Sequence, residues 1–427
     1  MTAFQSGMPG GRELTPTRPW GGLIGGIVLT ILLFGVSWVS TLFAPSLPSG
    51  WDHGSLLTDE NTGARYVSIE GTLHPVRNAS SAHLLFPDSL TIVSAGSEAL
   101  SEADIGPEVG IAGAPDQVPT PESVADPTLL TCAAGGAPWT GVNTGEWTSA
   151  DDRGVHVTVG TDSYLVAGGY RYSLGNENHS PEAILTAVGL SADVPRQVSA
   201  TWINVFPEGE PLVSLTVPGL GSEAGSIEGV ADDVAVGTIL EVSDTANAGT
   251  LYLVHEDARI ERLTPVMYQL YAIGDGGIYS SPVSISSRDL ARLQLVNSPT
   301  RSTWPEEITG TFEDEEIPCG YLSTDSRGSV QLVLGRDIPS VTSRTVTVAP
   351  QSGAIIRTRT DANLGFTHLI DESGTVFTLA PAAETLSALG LEEADDLIVE
   401  TQWRDLFDAG PILSTNEVWQ TVPAGSQ

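Results

Sequence analysis

The side chains best suited to chemistry are histidines, and the pair His74 and His83 lies nine residues apart. Imidazole is a common ligand of Zn²⁺ and related metals. No cysteine or carboxylate accompanies this pair at ligand spacing, so the sequence predicts no metal site. A turn that ends a β-hairpin is the better interpretation of His74-Pro75, because proline fixes its own φ and histidine can hydrogen-bond to a loop.

A catalytic triad can be assembled on paper from Ser163, His179 and Asp193. The chain has no GxSxG-like turn that would raise a serine above a sheet, and such a selection from many residues carries little weight. All 18 basic side chains are arginine, which excludes a P-loop lysine and a Schiff-base lysine. The sequence therefore predicts neither an enzyme nor a bound cofactor.

The charge of the chain limits its partners. Its 427 residues include 53 acidic and 18 basic side chains, which give a formal net charge of −35. Nucleic-acid binding depends on cationic side chains that neutralise phosphates, so this function class is excluded. Either solubility or a specific binding role explains the acidity, and solubility is the simpler explanation. The length predicts about two to three domains.

The elements that position these side chains begin with a predicted membrane helix. Residues 20–43 contain no charged side chain and are mostly apolar. At about 1.5 Å per residue, this segment can cross a hydrocarbon core about 30 Å thick. Arg12 and Arg18 precede it and acidic residues follow, so the positive-inside rule places 1–19 in the cytoplasm and most of the chain outside the plasma membrane. A cleaved signal peptide is the alternative, but the apolar run is long and lacks an A-x-A cleavage site.

The two cysteines, Cys132 and Cys319, both follow this segment. An isolated pair in an exported domain is most simply a disulfide. Two free thiols or a metal site are weaker interpretations, because the cysteines have no CxxC spacing and no neighbouring histidine cluster.

A self-similar segment indicates that one structural unit is used more than once. Residues Ile184–Leu212 align with Thr385–Leu413 at a constant offset of 201. The identical positions are mostly apolar or glycine: Leu185/Leu386, Gly189/Gly390, Leu190/Leu391, Trp202/Trp403, Phe206/Phe407, Gly209/Gly410 and Leu212/Leu413. We therefore expect Trp202, Phe206, Trp403 and Phe407 to pack in the core of each copy rather than to bind a ligand.

Alternating apolar residues around Gly or Asp turns predict four hairpins, at 64–73, 164–172, 250–260 and 368–377. A helix is predicted after each hairpin, at 180–190, 264–273 and 380–391, and as a short helix capped by Asn78 or Ser80 after the first. These patterns predict an α+β protein with repeat subdomains, each a hairpin plus a helix, that flank a β-rich domain. The predicted segments are a short cytoplasmic N-terminus (1–19), a transmembrane helix (20–43), a linker (44–59), repeat 1 (60–105), a central β-rich domain (106–158 and 303–350), repeat 2 (159–216), repeat 3 (235–300) and repeat 4 (351–420).

With these elements in place, the chain resembles the EccB family, membrane components of actinobacterial type VII (ESX) secretion systems. The most distinctive run is GTLHPVRNASSAHL, which contains Gly71, His74, Pro75 and Asn78. The segment 110–116 (GIAGAPD) resembles the family's GIPGAPD connection, and 206–212 (FPEGEPL) resembles its second repeat. The match runs in order from the apolar segment to about residue 420.

The resemblance implies a single-pass protein with four repeat subdomains around a central β-domain, held by one disulfide whose family positions agree with Cys132 and Cys319. Gly71, His74, Pro75 and Asn78 would be structural motif residues. The implied partners are an FtsK/SpoIIIE-type ATPase (EccC), a multi-pass protein (EccD), EccE and further copies of the chain. Family members typically have a longer cytoplasmic segment than the 19 residues here. Some members are described as ATPases, which this lysine-free chain does not support.

Two function classes stay open. The first is a structural subunit that forms the extracytoplasmic part of a type VII secretion complex. The second is a membrane-anchored protein that binds the cell wall or another glycan. A glycan-binding module should present an aromatic platform with polar groups in a groove, whereas an assembly subunit should expose apolar patches and oligomerise. The predicted anchor, the repeats and the lack of catalytic groups favour the first class.

Overall fold

The computed structural model describes residues 20–42, 46–87, 89–175, 179–190, 194–244, 248–296, 302–326, 328–360 and 363–421. The chain divides into two units. Among the described residues, the first unit contains those up to Pro75 and Thr91–Pro107, and the second contains Val76–Leu90 and those from Glu108 onward.

Strands are numbered in chain order. They are β1 (Ser55–Asp59), β2 (Arg65–Ile69), β3 (Thr72–Pro75), β4 (Thr91–Ala95), β5 (Thr128–Ala134), β6 (Ala137–Val142), β7 (Glu146–Ser149), β8 (Arg153–Val159), β9 (Asp162–Ala167), β10 (Tyr170–Ser173), β11 (Arg196–Gln197), β12 (Glu223–Ile227), β13 (Ala231–Ala235), β14 (Ile239–Val242), β15 (Leu251–Val254), β16 (Ile260–Leu263), β17 (Val283–Ile285), β18 (Gly310–Thr311), β19 (Ile317–Ser323), β20 (Gln331–Arg336), β21 (Thr345–Val348), β22 (Ala354–Thr360), β23 (Asn363–Ile370), β24 (Thr375–Leu379), β25 (Asp396–Glu400) and β26 (Asp408–Ala409). The α-helices are α1 (Trp20–Leu42), α2 (Ala79–Leu85), α3 (Ser97–Leu100), α4 (Pro181–Ala187), α5 (Ala200–Ile203), α6 (Pro265–Ala272), α7 (Ser287–Leu290), α8 (Ala382–Ala388), α9 (Thr401–Arg404) and α10 (Thr415–Gln420).

Helix α1 occupies the predicted membrane segment, but the structure describes side chains in only part of it. Among the described residues, no helix is both long and apolar enough to cross a membrane. This finding does not confirm the transmembrane helix predicted at 20–43. The predicted cytoplasmic segment 1–19 lies outside the described residues.

Four sheets share one order of strands. In each sheet, the second strand along the chain pairs antiparallel with the first and the third, and the fourth strand pairs parallel with the first. We call them sheet 1 (β3-β2-β1-β4), sheet 2 (β10-β9-β8-β11, with β18 on β8), sheet 3 (β16-β15-β14-β17) and sheet 4 (β25-β22-β23-β24-β26). Sheet 1 lies in the first unit and the other three in the second. In all four, one helix lies in sequence between the third and fourth strands and another follows the fourth.

Glycine turns set the register of several hairpins. Strands β9 and β10 are joined by Gly168-Gly169, with φ of +56° and +79°. A two-residue hairpin turn of this type needs positive φ at both positions, and it matches the right-handed twist of the strands that it joins. The same device joins β5 to β6 through Gly135-Gly136, with φ of +80° and +95°.

A fifth sheet, which we call the disulfide sheet, has the order β21-β6-β5-β19-β20-β7. Its strands come from two parts of the chain separated by sheets 2 and 3. Cys132 on β5 pairs directly with Cys319 on β19, and the two form a fully buried disulfide. Gly335 on β20 lies over this bond, since a Cβ there would approach Cys319 Sγ to 2.5 Å. The predicted disulfide is confirmed.

The apolar cores of the second unit cross the boundaries of its sheets. One cluster combines side chains of the disulfide sheet, such as Leu332, with side chains of sheets 2 and 4, such as Val157 and Ile356. A second cluster joins Leu165 of sheet 2 to Leu253 of sheet 3. These sheets therefore pack through shared side chains rather than through separate cores.

The predicted helices are present with shorter bounds, and each predicted hairpin is present but extends beyond its predicted bounds at one end or both. Asn78 rather than Ser80 caps α2. The predicted hairpins and helices do not include the first strand of any of sheets 1 to 4. Strand β8, for example, begins at Arg153 and pairs with β9, so sheet 2 begins before the predicted start of repeat 2 at residue 159. The disulfide sheet draws all its strands from 106–158 and 303–350.

We expect loss of the disulfide to destabilise the chain strongly. The bond joins cysteines 187 residues apart, and closing so long a loop in the unfolded chain corresponds to about 5 kcal/mol in the free energy of unfolding. Urea titrations of the parent, the reduced parent and C132A/C319A in one detergent would measure this. Reduced parent and variant should unfold at the same lower midpoint, and an unchanged midpoint would show that the bond contributes little.

Candidate functional site

The two tryptophans that the repeat made equivalent are both completely buried, on α5 and α9. Trp202 packs edge-on against Phe206, with ring centroids 5.1 Å apart. Trp403 and Phe407 lie in the same apolar cluster as Trp202 and Phe206. Their environment is a packed core, where the rings stabilise the fold and offer no face to a ligand.

The indole nitrogens of the two tryptophans differ in their hydrogen bonding. Trp202 Nε1 donates a hydrogen bond of 3.1 Å to the carbonyl oxygen of Thr131 on β5, and so connects sheet 2 to the disulfide sheet. Trp403 Nε1 is buried and has no hydrogen-bond partner among the described residues. The same aromatic position therefore provides a polar connection in one sheet and only apolar packing in the other.

The paired glycines of the repeat are required by close packing. A Cβ on Gly209 would lie 2.3 Å from the ring of Tyr172, and one on Gly410 would lie 2.3 Å from the ring of Phe377. Tyr172 and Phe377 occupy the third strands of sheets 2 and 4. Each glycine thus lets the chain cross the face of an aromatic ring as it returns to its sheet.

His74 and Pro75 lie in the first unit, in strand β3. The interpretation of His74-Pro75 as a turn is wrong, because both residues pair with β2 and the turn is formed by Glu70-Gly71, with φ of +49° and +79°. His74 is 1% exposed, and its Nδ1 donates to the carbonyl oxygen of Pro107 at 2.9 Å. A Cβ at Gly106 would meet the imidazole at 2.5 Å, so the His74 ring packs closely against the loop segment that contains Gly106 and Pro107.

Asn78 lies in the second unit and joins two of the sequence motifs. Its Oδ1 accepts from the Ser81 amide at 3.0 Å and caps α2, while its Nδ2 donates to the carbonyl oxygen of Ile111 at 2.8 Å. Ser80 Oγ donates to the carbonyl oxygen of Pro115 at 2.7 Å. The run after His74-Pro75 therefore binds the backbone of the 110–116 segment, and sequence reasoning missed this contact.

The C-terminal helix α10 completes this arrangement within the second unit. Helix α2 packs against α8 and α10, and Phe86 meets Trp419 edge-on with ring centroids 6.1 Å apart. Thr421 Oγ1 accepts from the amide of Gly110 at 2.8 Å. The family-like motifs thus serve as internal contacts between distant parts of the chain.

The structure does not assemble the triad considered from the sequence. Ser163 Oγ lies 2.7 Å from His156 Nε2 across the β8–β9 hairpin, whereas His179 Nε2 donates to the carbonyl oxygen of Ile273 at 3.1 Å. Asp193 lies outside the described residues. In the described part of the chain, no three His, Cys, Asp or Glu side chains form a group that could hold a metal ion. His83, the second histidine of the pair considered from the sequence, lies on helix α2, and burial lowers its pKa.

A cavity of ≈ 360 Å³ opens between the connection before β5 and the loops around β22 and β23. Its lining is mostly amides, hydroxyls and one carboxylate: Gln117, Val118, Pro119, Thr120, Ser123, Gln351, Ser352 and Glu372. Ser352 and Ser123 already bind each other, since Ser352 Oγ donates to the carbonyl oxygen of Ser123 at 2.9 Å. The lining contains no aromatic ring, so the cavity lacks the platform expected of a glycan site.

Several large apolar side chains are exposed. In the second unit they include Trp147, Val194, Ile278, Val283, Leu295, Leu364, Phe366 and Ile412, and in the first unit Ile92 and Ile105. Exposed apolar side chains scattered singly are ordinary on proteins, whereas adjacent ones indicate an interaction surface. Leu364 and Phe366 lie two residues apart on β23, but the pairing with β22 shifts register between Leu364 and Thr367, so the spacing does not place them on one face.

A family model described as type VII secretion system ESX-1, transport TM domain B, matches residues 15–423. Among curated proteins, the chain is 25% identical over 343 residues to the ESX-3 secretion system ATPase EccB3 of Mycobacterium tuberculosis, an alignment that covers 74% of this chain and 62% of that protein. It thus spans less than two thirds of the length of that relative. The ESX-2 secretion system ATPase EccB2 of the same species is 25% identical over 425 residues, with coverage of 87% and 83%.

Solved structures share the fold. The EccB3 dimer from the ESX-3 core complex matches with a TM-score of 0.67 at 23% identity, covering 86% of this chain and 100% of that chain. An intact ESX-5 inner membrane complex matches with a TM-score of 0.66 at 20% identity, covering 96% and 90%. At these identities, the similarity supports the mixed α+β architecture itself.

The two tryptophans provide a matched pair of variants. We expect W202F to lower the free energy of unfolding by about 1–2 kcal/mol more than W403F, because W202F removes a buried hydrogen bond, whereas W403F removes a buried N–H that has no partner among the described residues. Urea midpoints of the two variants and the parent would measure the difference. Equal losses in the free energy of unfolding would mean that the hydrogen bond to Thr131 contributes no stability beyond the packing of the ring.

A second prediction concerns pH. Burial, and next the positive charge of Arg404, lower the pKa of His368 on β23 from 6.5 to about 4. The unfolded chain therefore takes up this proton below pH 6.5 and the folded chain only near pH 4. The folded state should lose up to roughly 3 kcal/mol as the pH falls between these values.

We expect H368N, which cannot titrate, to lose this part of the acid sensitivity, measured as the change in urea midpoint between pH 7 and pH 4.5. His53 has an exposed side chain, and H53N is the control that should keep the parent's sensitivity. If H368N were as acid-sensitive as the parent, this part of the acid sensitivity would not come from His368.

Proposed function

Since the chain belongs to the EccB family of type VII (ESX) secretion systems, we propose that it is a structural subunit of an ESX inner membrane complex. In this role it forms the extracytoplasmic part of the complex and helps to assemble the export machine. Its work is to hold protein surfaces in fixed positions rather than to transform a substrate.

One observation carries this proposal: the motif residues bind the chain itself. Asn78 binds the backbone at Ile111, His74 binds the backbone at Pro107, and Trp202 binds the backbone at Thr131. Catalytic motifs would instead bring nucleophiles, acids and bases to an accessible cleft. Side chains that all bind backbone in packed surroundings support a scaffold.

The curated relatives carry the name ATPase, and this chain's composition argues for a non-catalytic member. ATP binding relies on cations and backbone donors around the phosphates, most often with a lysine. The chain has no lysine and a net charge of −35. Repulsion between this field and a nucleotide of the same sign supports a role without ATP hydrolysis.

The proposed topology is a single-pass protein in the plasma membrane. The apolar segment 20–43 would anchor it, with 1–19 in the cytoplasm and the rest outside. Sheets 1 to 4 would be the cores of four repeat subdomains, predicted at 60–105, 159–216, 235–300 and 351–420, and the disulfide sheet would be the β-rich domain of 106–158 and 303–350. The shared strand order of the four sheets supports this division.

The proposed partners are further copies of this chain together with EccC-type, EccD-type and EccE-type subunits. Three similar solved structures are assemblies. One is an EccB3 dimer, one is an intact ESX-5 inner membrane complex, and one is the periplasmic assembly from the ESX-5 complex. The exposed apolar side chains of both units, such as Phe366 and Ile92, support contacts with other proteins.

The second candidate is a cell-wall or glycan-binding protein, and one feature favours it. Trp147 on β7 packs against Tyr321 on β19 with ring centroids 4.3 Å apart, and it is 36% exposed. A partly exposed aromatic pair can stack on the apolar face of a sugar ring. Trp147 lies on the edge strand β7 of the disulfide sheet, and Tyr321 lies on the inner strand β19.

Purification of the full-length protein from its native membrane in mild detergent tests the proposal. We expect an FtsK-like ATPase and a multi-pass protein to co-purify in one very large particle, identified by sizing and mass spectrometry. The control is the same purification from cells that lack the EccC-type gene, where the large particle should disappear. A lone protein that sediments with isolated cell wall, and that W147A releases, would favour the glycan-binding alternative.

A further inference from the structure

The fourth strand of sheet 1 lies at an edge of that sheet. Strand β4 pairs with β1 in an unbroken parallel register over Thr91–Ala95, and in the described part of the chain it pairs with no other strand. The carbonyl oxygen of Ala95 accepts from the amide of Glu60, so the backbone of Ala95 points toward β1. Alternate residues of a strand direct their backbone groups to opposite sides. The N–H and C=O groups of Ile92 and Ser94 therefore point away from β1, and we call these four groups the β4 edge.

The corresponding strands of the other three sheets are protected against pairing with another chain. Strand β11 has only two residues, one of them Arg196, while Pro282 directly precedes β17, and β25 carries Asp396 and Glu400. Charges, proline and short length are the usual means by which proteins protect a strand edge. Strand β4, with the sequence TIVSA, contains no charge, proline or glycine, and its Ile92 is 65% exposed.

An unprotected edge of this kind suits strand addition, in which main-chain hydrogen bonds provide affinity and alternate side chains provide specificity. Ile92 and Ser94 offer two N–H donors and two carbonyl acceptors, and both residues are exposed. Val93 packs instead against the core cluster that contains Leu57. On the open face, an added strand would thus meet the side chains of Ile92 and Ser94, and a β-branched residue would pack well beside the isoleucine.

The charge around the β4 edge indicates which kind of segment would bind. Outside α1, the described residues of the first unit contain one arginine, Arg65, and seven carboxylates: Asp52, Asp59, Glu60, Glu70, Glu98, Glu102 and Asp104. Glu60 and Glu98 are exposed at the carboxyl end of β4, where Glu60 binds Ala95 and Glu98 lies in the first turn of α3. A cationic segment would be attracted to this surface, whereas a second copy of this acidic chain would be repelled.

We propose that the β4 edge docks an extended, cationic segment of another protein, which adds to sheet 1 as an antiparallel strand. Antiparallel pairing is slightly more stable than parallel pairing, and it places the N-terminal end of the incoming segment beside Glu60 and Glu98. The segment would therefore begin with basic residues and continue with alternating β-branched residues. The inference goes beyond the proposed function, because such binding is measurable on this chain with no other subunit present.

The first test is a titration of the fluorescent peptide Arg-Arg-Val-Thr-Ile-Thr with the full-length protein in an uncharged mild detergent, followed by anisotropy. Binding should be saturable. The peptide Glu-Glu-Val-Thr-Ile-Thr should bind at least about 10-fold more weakly, because its charge has the sign of the protein surface. Arg-Arg-Val-Pro-Ile-Pro keeps the positive charge but lacks two backbone donors, and it should lose a similar factor.

Two exposed serines provide a matched pair of variants. Ser284 on β17 corresponds to Ser94 on β4: the carbonyl oxygen of Ile285 accepts from the amide of Ser243 on the β14 side, so the backbone of Ser284 points away from β14. S94P removes an outward N–H and breaks no hydrogen bond to β1, so the dissociation constant of the basic peptide should rise at least about 10-fold. S284P makes the same change at the other edge and should keep the parent's constant.

Neutralised carboxylates test the role of charge. In E60Q/E98Q the dissociation constant of the basic peptide should rise at least about 3-fold at low salt, because two charges near the docked arginines are lost. D232N/D233N is the control, since it removes the same charge from two exposed residues of β13 in the second unit. It should leave the constant within about the error of the measurement.

A cross-linking test does not depend on the folding of a proline variant. Both native cysteines are in the disulfide, so one added cysteine is the sole free thiol. On mild oxidation, S94C should form a mixed disulfide with the peptide Arg-Arg-Val-Cys-Ile-Thr, and S284C should not. The yield for each variant would be measured by mass spectrometry.

The remaining outcomes would overturn the inference. They are the absence of saturable binding by the parent, equal binding by S94P and S284P when both keep the parent's urea midpoint, and equal yields of mixed disulfide from S94C and S284C. Disulfide-linked dimers of S94C without peptide would assign the β4 edge to a second copy and would also overturn it. None of these results bears on whether the chain co-purifies with an ATPase and a multi-pass protein, so the proposed function is tested separately.

Discussion

The bond between Cys132 and Cys319 is the constraint on which the second unit depends. It joins two strands whose cysteines are 187 residues apart in the chain, with sheets 2 and 3 and the two-stranded sheet β12-β13 between them in sequence. Closing so long a loop costs chain entropy that local hairpins do not have to overcome. The covalent link, the cross-strand pairing and the shared core around Leu332 together offset this cost. Sheets 2 and 4 can then pack against a sheet of defined position.

Local features of this fold could be predicted from the sequence, and long-range ones could not. The glycine turns, the cap at Asn78 and the constant offset between Trp202 and Trp403 are local or repeated signals, and the elements that they predict are present. The first strand of each sheet was missed because its partners are the second and fourth strands, and only the second is near in sequence. The pairing of His74-Pro75 in a strand likewise depends on β2 and on Pro107.

Similar sequence does not imply similar energetics. Trp202 and Trp403 occupy corresponding positions in the aligned segments 184–212 and 385–413, and both are completely buried. One donates to a strand of another sheet and the other has no partner within the described part of the chain. Two sheets of one topology thus differ in their contacts: the tryptophan of sheet 2 makes a polar contact with the disulfide sheet, and the tryptophan of sheet 4 is held by apolar packing.

The order of strands in the disulfide sheet also determines when it can form during synthesis. Strands β5, β6 and β7 leave the ribosome early, but β19 and β20 follow only after sheets 2 and 3 have been made, and β21 comes later still. Until then Cys132 is a free thiol, and β5 has one open edge. The nascent chain therefore passes through a stage in which sheets 2 and 3 can fold while the disulfide sheet still lacks β19, β20 and β21. In that interval the early strands need protection from wrong pairing and from premature oxidation.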